Sequence, residues 1–212
     1  AMYGYSQLRK KLASGIKDSW YLANSTGNKY SFWPGTKMLN VTNDAPRVNG
    51  QRFNQYLSRF VVDELISSGL WDGVFYDNAW EGLQWFTGSN VDFDKNGSID
   101  SNLDSKWREG MRFIYDETRR LAGKDIILVG NGPNKVYSNQ LNGIIIEHFV
   151  PGYLNWEQAM DIYSYNENNG SDYPRMNILN SNVGNSGNSA DYQKMRFGLG
   201  SALLLDGYYS FD

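Results

Sequence analysis

The sequence predicts an α/β fold in which parallel strands alternate with helices, arranged as an incomplete (β/α)8 barrel. Three observations predict it. Short apolar runs recur along the chain, segments with helical periodicity separate them, and several runs end in a carboxylate. Buried parallel strands read as continuous apolar segments, and functional groups of α/β barrels lie at the carboxyl ends of such strands. The acids that follow these runs are Asp77, Glu147 and Asp206.

The first third of the chain contains two helical patterns and two strand patterns. Apolar residues recur at three- and four-residue spacing between Phe53 and Leu65, and Gly15 and Gly69 each follow a helical pattern as C-terminal signals. Polar turn residues separate two aromatic runs and indicate a hairpin. We therefore expect a helix over 6–15, a turn at 24–28, a strand at 37–41, a helix over 50–68 and a strand at 73–77.

The remainder continues the alternation after a long loop over 79–101. Asn155 and Ser189 are suited to cap helices because their side chains accept hydrogen bonds from free backbone N–H groups. The expected helices cover 102–122, 133–141, 155–168 and 189 to about 200. The expected strands cover 126–130, 143–147, 175–180 and 202–206, with a polar loop at 180–188.

These patterns give six parallel strands, whereas a closed barrel of this class needs eight. We therefore expect one barrel domain over 1–212, truncated at its N-terminus so that the first strands are missing, with an insertion at 90–104. An open six-stranded sheet is the alternative arrangement.

Composition narrows the possible partners. The net charge is −3 without a basic cluster, which argues against nucleic acid, and no apolar run reaches membrane-spanning length. The chain has no cysteine and one histidine, which excludes thiolate metal sites and an all-histidine zinc site. Its 15% aromatic content suits sugar binding or an aromatic core. The sequence shows no signal peptide, and we expect an extracellular or cell-surface location. The sequence does not predict the oligomeric state.

Asp77 and Glu147 are the candidate catalytic pair. Each follows a strand of apolar and aromatic residues, so the core would fix the backbone while the acid faces a pocket. Two carboxyl groups are what glycosidic bond cleavage needs, one to protonate the leaving oxygen and one to attack or to activate water. Asp206 is a third candidate catalytic residue, which would hold a substrate hydroxyl or tune the pKa of the acid. A single acid after a strand is also compatible with a loop or capping role.

Amides and aromatic side chains near these acids are candidate substrate-binding residues. Amides donate and accept hydrogen bonds to hydroxyl groups, and flat rings pack on the apolar faces of sugars. For the asparagines, turn formation is an equally simple explanation, and for the histidine a scaffold contact is. The candidates are Asn40, Tyr76, Asn78, Trp80, Trp85, Asn131 and His148.

The segment from Asp92 to Asp100 matches the first nine positions of an EF-hand calcium loop. Oxygen-bearing side chains occupy alternate positions and Gly97 occupies the sixth, but Leu103 stands where the bidentate glutamate belongs. We expect no cofactor for catalysis and either a structural calcium or a turn that caps the following helix. The candidate ligands are Asp92, Asp94, Asn96, Ser98 and Asp100.

Several of these runs together resemble the glycoside hydrolase-like barrels of unassigned specificity that are grouped with the α-galactosidase superfamily. The runs are Trp33-Pro34-Gly35, residues 39–42, residues 70–77, the Asp-rich loop at 92–104 and Val129–Gly132. The resemblance covers the chain from about Trp20 onward and implies a (β/α)8 barrel. It also implies a catalytic acid matching Asp77 and a second acid best matched by Glu147, as in polygalactosaminidase-type endo-glycosidases.

Two further classes of function are weighed against a carbohydrate-cleaving enzyme. A non-catalytic carbohydrate-binding barrel, or a degenerate enzyme, would keep the aromatic residues without a working acid pair. A scaffold protein would lack a cleft that holds both acids. Nucleotide binding ranks last because no Gly-rich phosphate-binding fingerprint follows a strand.

Overall fold

The computed structural model describes residues 6–149, 152–170, 174–183 and 186–211. The chain divides into two compact units. The first unit contains the residues up to Asp72 together with Glu81–Ile126, and the second contains Gly73–Trp80 together with the residues from Ile127 onward. Every strand of the sheet belongs to the second unit, and the first is built mainly from helices and loops.

The second unit is built on a parallel sheet of five strands in the order β1-β2-β3-β4-β5. Most of its strand residues are apolar or aromatic, which suits a buried parallel sheet. Gly143 lets a neighbouring chain segment approach closely, since a Cβ there would lie 2.2 Å from the carbonyl carbon of Met176. The strands are Gly73–Tyr76 (β1), Ile127–Asn131 (β2), Gly143–Ile146 (β3), Ile178–Ser181 (β4) and Tyr208–Phe211 (β5).

Two helices of the second unit pack on the sheet, α5 (Trp156–Asn169) on β3 and α6 (Ser189–Ala202) on β4 and β5. The capping prediction for Asn155 is confirmed, because its side chain accepts from the N–H of Gln158. The cap of α6 is Asn188 rather than the predicted Ser189.

The described residues of the first unit form four α-helices, of which the long α2 and α4 pack together. The apolar stripe of α2 contacts Trp20, whose indole is 1% exposed and lies 6.1 Å from the Phe53 ring and 5.6 Å from the Tyr56 ring. Such aromatic pairs add to the stabilisation from buried area. The helices are Ser6–Gly15 (α1), Phe53–Glu64 (α2), Gln84–Thr87 (α3) and Leu103–Ala122 (α4).

The predicted α/β class with parallel strands is confirmed, but the described residues form an open sheet of five strands rather than a closed barrel. The prediction of a parallel strand at 37–41 is wrong, because there Leu39 forms only an isolated antiparallel bridge with Tyr21. The residues at 136–140 form turns instead of the short helix expected over 133–141. The expectation of one truncated barrel domain stays a prediction.

The strand predicted at 202–206 is also wrong. Helix α6 runs to Ala202, and the N–H of Leu203 still bonds to the carbonyl of Leu199. Three successive leucines continue the helix as turns because leucine is a strong helix former, whereas the aromatic run from Tyr208 favours a strand. The fifth strand therefore begins six residues later than expected, at Tyr208.

We predict that Gly110→Ala in α4 lowers the free energy of unfolding by about 1–3 kcal/mol, despite the better helix propensity of alanine. A Cβ at Gly110 would lie 2.2 Å from the carbonyl oxygen of Val41, which is backbone and cannot rotate away. Gly200→Ala in α6 is the matched control, since nothing lies within 4 Å of its Cβ position, and it should be neutral or stabilising. Urea unfolding measures both, and equal effects would contradict the packing explanation.

Candidate active site at the carboxyl ends of the strands

Asp77 follows β1 directly and its carboxylate is held in place by two donors. Its Oδ1 accepts from the backbone N–H of Asn78 at 2.8 Å and from Nδ2 of Asn131 at 2.9 Å. The side chain is exposed. Asn78 has a positive φ of 55°, a conformation that asparagine tolerates better than most residues. The acid therefore faces solvent in an orientation that two neighbouring loops fix.

The loop after β1 is attached to the segment after β2 by backbone and side-chain hydrogen bonds. The N–H of Ala79 donates to the carbonyl of Asn131 at 2.8 Å, and Nδ2 of Asn134 donates to the carbonyl of Ala79 at 2.8 Å. The hydroxyl of Tyr137 donates to the carbonyl of Trp80 at 2.7 Å. These bonds hold the chain around Asp77 to the end of the neighbouring strand.

The strand register places a row of polar side chains on one face of the sheet. Asn131 pairs with Ile145, which pairs with Ile178, so alternation directs these three side chains to the same face. Asn180 lies two residues after Ile178 and shares that face, and its Nδ2 donates to Oγ of Ser210 at 3.2 Å. Asn131, Asn180 and Ser210, which we call the polar row, thus lie among the last two residues of β2, β4 and β5 on the side where Asn131 meets Asp77.

Glu147 follows β3 directly and is exposed at the same edge of the sheet as Asp77. It opens a turn in which His148 has a φ of 53°. The N–H of Phe149 closes this turn onto β4 by donating to the carbonyl of Asn180 at 2.7 Å. Since β2 lies between β1 and β3, the backbones carrying the two acids are about two strand spacings apart, roughly 10 Å.

Glu147 lines a small pocket of about 180 Å³. Tyr153, whose side chain is 69% exposed, lies on its rim. Partial loss of hydration, and then the negative charge of Glu147, raise the pKa of Tyr153 to about 12. The pocket is lined by Ile146, Glu147, His148, Phe149, Tyr153, Leu154 and Ala159.

Two predicted site residues of the second unit do not lie where the sequence indicated. The ring of Tyr76 is buried at 7% exposure, so it offers no face to a ligand from solvent. Asp206 precedes β5 instead of following a strand, because the strand starts at Tyr208. The amino and carboxyl ends of parallel strands lie at opposite edges of a sheet, and Asp206 is therefore at the edge away from Asp77 and Glu147.

Asn40 belongs to the first unit and has a structural role there. Its side chain is fully buried, with Nδ2 donating to the carbonyl of Phe93 at 2.8 Å and Oδ1 accepting from the N–H of Thr42 at 3.1 Å. A buried amide bonded in this way is occupied by the scaffold, so the predicted sugar contact of Asn40 is wrong.

Trp85, also in the first unit, is 64% exposed. The substrate-binding roles of Asn78, Trp80, Trp85, Asn131 and His148 stay predictions.

The Asp-rich loop of the first unit brings three of its predicted ligands together. Carboxylate oxygens of Asp92, Asp94 and Asp100 lie within 4.8 Å of one another. The N–H of Gly97 donates to Oδ2 of Asp92 at 2.8 Å, and Lys106 donates to Oδ1 of Asp100 at 2.6 Å. Of the other two predicted ligands, Asn96 donates through Nδ2 to Oδ2 of Asp94, and Ser98 donates its N–H to Oδ1 of Asn96.

The sequence analysis did not identify three residues of the second unit that lie near the carboxyl ends of the strands. Asn180 follows the apolar residues Ile178 and Leu179 in the sequence, much as Glu147 follows an apolar run, so the pattern that identified the acids would have found it if amides had been counted as well. Ser210 lies beyond the strand that the sequence predicted at 202–206, and only the corrected position of β5 places it in a strand. Tyr153 lies in a loop without periodicity, and no sequence signal points to it.

The chain matches the model of a protein family described as hypothetical glycosyl hydrolase family 15 over residues 5–211. Comparison with curated proteins gives no match. Among the described helices, none combines the length and the hydrophobicity needed to cross a bilayer.

We predict that Glu147→Gln lowers the pKa of Tyr153, because removing a nearby negative charge makes the phenolate less unfavourable. The titration is followed by NMR of tyrosine labelled at the ring carbon that bears the hydroxyl, with Tyr153→Phe used to assign the signal. Asp161→Asn, which removes an exposed carboxylate paired with Lys135, is the control and should leave the titration unchanged. An unaltered pKa in Glu147→Gln would contradict the electrostatic contact.

Proposed function

Because the chain belongs to hypothetical glycosyl hydrolase family 15, we propose that it cleaves a poly- or oligosaccharide with Asp77 and Glu147 as its carboxylate pair. One observation carries the proposal. Both acids are exposed immediately after strands of the same parallel sheet, and Asn131 and the N–H of Asn78 fix the first of them. Family membership supports the reaction class, and the geometry supports these two residues.

The two acids would divide the work of hydrolysis. Glu147 would give a proton to the glycosidic oxygen as the bond to the anomeric carbon breaks, and Asp77 would attack that carbon or take a proton from the attacking water. Both donors to Asp77 bind Oδ1, so we assign the reacting role to Oδ2. Asn131 would keep the carboxylate aimed while Asn78, Trp80 and His148 contact the sugar.

The spacing of the strands is compatible with this pairing. Retaining enzymes hold their carboxyl groups roughly 5–5.5 Å apart and inverting enzymes roughly 6.5–9.5 Å. The backbones are roughly 10 Å apart, but the carboxyl groups come closer together than this when the two side chains lean towards each other over the intervening strand. Glutamate has three rotatable side-chain bonds that allow this. The intervening strand ends in Asn131, which already contacts one of the two acids.

We also propose that the five strands are part of a (β/α)8 barrel of the α-galactosidase superfamily. The parallel order supports this, and so does the arrangement of the second unit's helices. Gly198 of α6 lies against Ser181 and Tyr209, which the strand alternation directs away from Asn180 and Ser210. The face that carries the polar row is therefore the one that would line the barrel interior.

We predict that Asp77→Asn and Glu147→Gln each lower the rate of glycoside hydrolysis at least about a hundredfold while leaving the fold intact, because each removes a group that exchanges a proton or attacks carbon. Asp206→Asn is the matched control, an acid at the opposite edge of the sheet, and should keep full activity. Rates are measured by reducing-sugar release across a polysaccharide panel, and circular dichroism checks folding.

Three results would count against the pairing. Wild-type activity in Asp77→Asn would remove that residue from the mechanism. Equal losses in Asp206→Asn would point to a general loss of structure. Binding of saccharide by a wild-type protein that hydrolyses none of the panel would favour the non-catalytic carbohydrate-binding alternative.

We further propose that the loop from Asp92 to Asp100 binds calcium or a similar hard cation that stabilises the first unit. Three carboxylates within 4.8 Å repel one another, and the lysine that contacts them binds only Asp100 among the three. Lys95 and Gly97 both have positive φ, which coils the backbone so that the oxygens converge. Carboxylate oxygens are the ligands that calcium prefers.

We predict that millimolar Ca²⁺ raises the melting temperature and that Asp94→Asn reduces this increase, because the cation binds the folded loop more tightly than the unfolded chain. A concentration of 100 times Kd would add about 2.7 kcal/mol. Asp125→Asn is the control, since Asp125 is an exposed acid paired only loosely with Lys124. A melting temperature insensitive to both Ca²⁺ and EDTA would contradict the proposal.

A further inference from the structure

Five aromatic rings of the first unit form a cluster around Phe32, which we call the Phe32 cluster. The ring of Phe32 lies 4.5 Å from Trp33, 5.6 Å from Trp85 and 5.3 Å from Phe86, each in an edge-on arrangement. Tyr30 completes it at 5.9 Å from Phe86. Edge-on packing is the favoured geometry for aromatic pairs, so the cluster is a stable unit.

The two tryptophans of the cluster are open to solvent. Trp33 is 54% exposed and Trp85 is 64% exposed. Since both pack on the same Phe32 ring, the two indoles are no further apart than the sum of their distances to it. Large apolar side chains grouped on a surface commonly mark a binding site.

The backbone of Trp33 is fixed by a tight turn. Pro34 and Gly35 occupy its central positions, and the φ of 78° at Gly35 is the value that a type II turn needs there. The carbonyl of Trp33 accepts from the hydroxyl of Ser31 at 2.8 Å and from the hydroxyl of Thr36 at 2.6 Å. The exposed indole thus projects from a rigid base.

Trp85 is fixed by independent contacts. Its indole N–H donates to the carbonyl of Gly82 at 3.1 Å, which sets the orientation of the ring. It lies in the short helix α3, where Oδ1 of Asp104 accepts from the N–H groups of Leu83 and Gln84 at 2.8 and 2.9 Å. A freely rotating aromatic side chain loses conformational entropy when it binds a ligand. Because these contacts already fix Trp85 in the free protein, the entropy cost of binding a ligand is smaller.

We propose that Trp33 and Trp85 form a saccharide-binding site that holds a segment of a polysaccharide chain by the apolar faces of its sugar rings. This inference rests on the proposed function for the choice of ligand. Two indoles present far less surface than the roughly 800 Å² per partner that a stable protein interface buries. A sugar chain needs only flat apolar faces at a fixed spacing, which the Phe32 cluster supplies.

The test measures binding separately from cleavage. Asp77→Asn is used as the parent so that the polysaccharide is not consumed, and Trp33→Ala and Trp85→Ala are added to it singly. Affinity electrophoresis is run in gels containing galactan, xylan, β-glucan or chitosan. Trp156→Ala is the control, because Trp156 is a tryptophan of the second unit that is 38% exposed and donates its indole N–H to Oγ of Ser201 at 3.0 Å.

We expect each cluster variant to weaken retardation in at least one gel by about tenfold, the effect of losing one aromatic contact of about 1.4 kcal/mol. The Trp156 control should migrate as the parent does, and thermal unfolding should show that all three variants are folded. Binding that depends on Trp33 and Trp85 would stand even if the wild-type protein hydrolysed nothing, so failure of the proposed catalysis is a separate result.

Two outcomes would overturn the inference. One is retardation that is absent in every gel, or equal in the parent and in folded cluster variants. The other is loss of self-association in sedimentation runs of the cluster variants with saccharide binding unchanged, which would identify the surface as a protein contact.

Discussion

The hydrogen bond from Asn131 to Asp77 is the interaction on which the candidate site depends. It joins the first residue after β1 to the last residue of β2, and the bonds of Ala79 and Asn134 hold the same two segments together. Without the parallel register of these strands, the amide and the carboxylate would not end at the same level. The chemistry proposed for Asp77 therefore depends on the register of a sheet whose strands are four or five residues long.

The polar row also explains how the sheet divides its two faces. Helix α6 packs on one face through Gly198, while the amide and hydroxyl groups of the polar row lie on the other. In an α/β sheet the carboxyl ends are where backbone direction and side-chain alternation bring different strands to one place. Glu147 joins this region from the turn after β3, which Asn180 holds to β4.

Aromatic residues perform two different tasks in the first unit. Trp20 is buried beside Phe53 and Tyr56 and stabilises the packing of α2. Trp33 and Trp85 instead lie at the surface, where hydrogen bonds to their backbone or indole fix them. The high aromatic content of the chain thus has a structural part and a part available for ligands, and composition alone does not separate the two.

The sequence by itself determined the helices α2, α4 and α5, the strands β1 to β3 and the positions of Asp77 and Glu147 directly after two of these strands, because periodicity, capping residues and apolar runs are local signals. Only the tertiary structure decided that Asn40 is buried and that Asp206 lies at the wrong edge of the sheet. Leucine runs are compatible with helix or strand, and a buried amide looks like an exposed one in sequence. The burial of these leucines and amides depends on residues that are distant in the sequence, and only the folded chain brings those residues next to them.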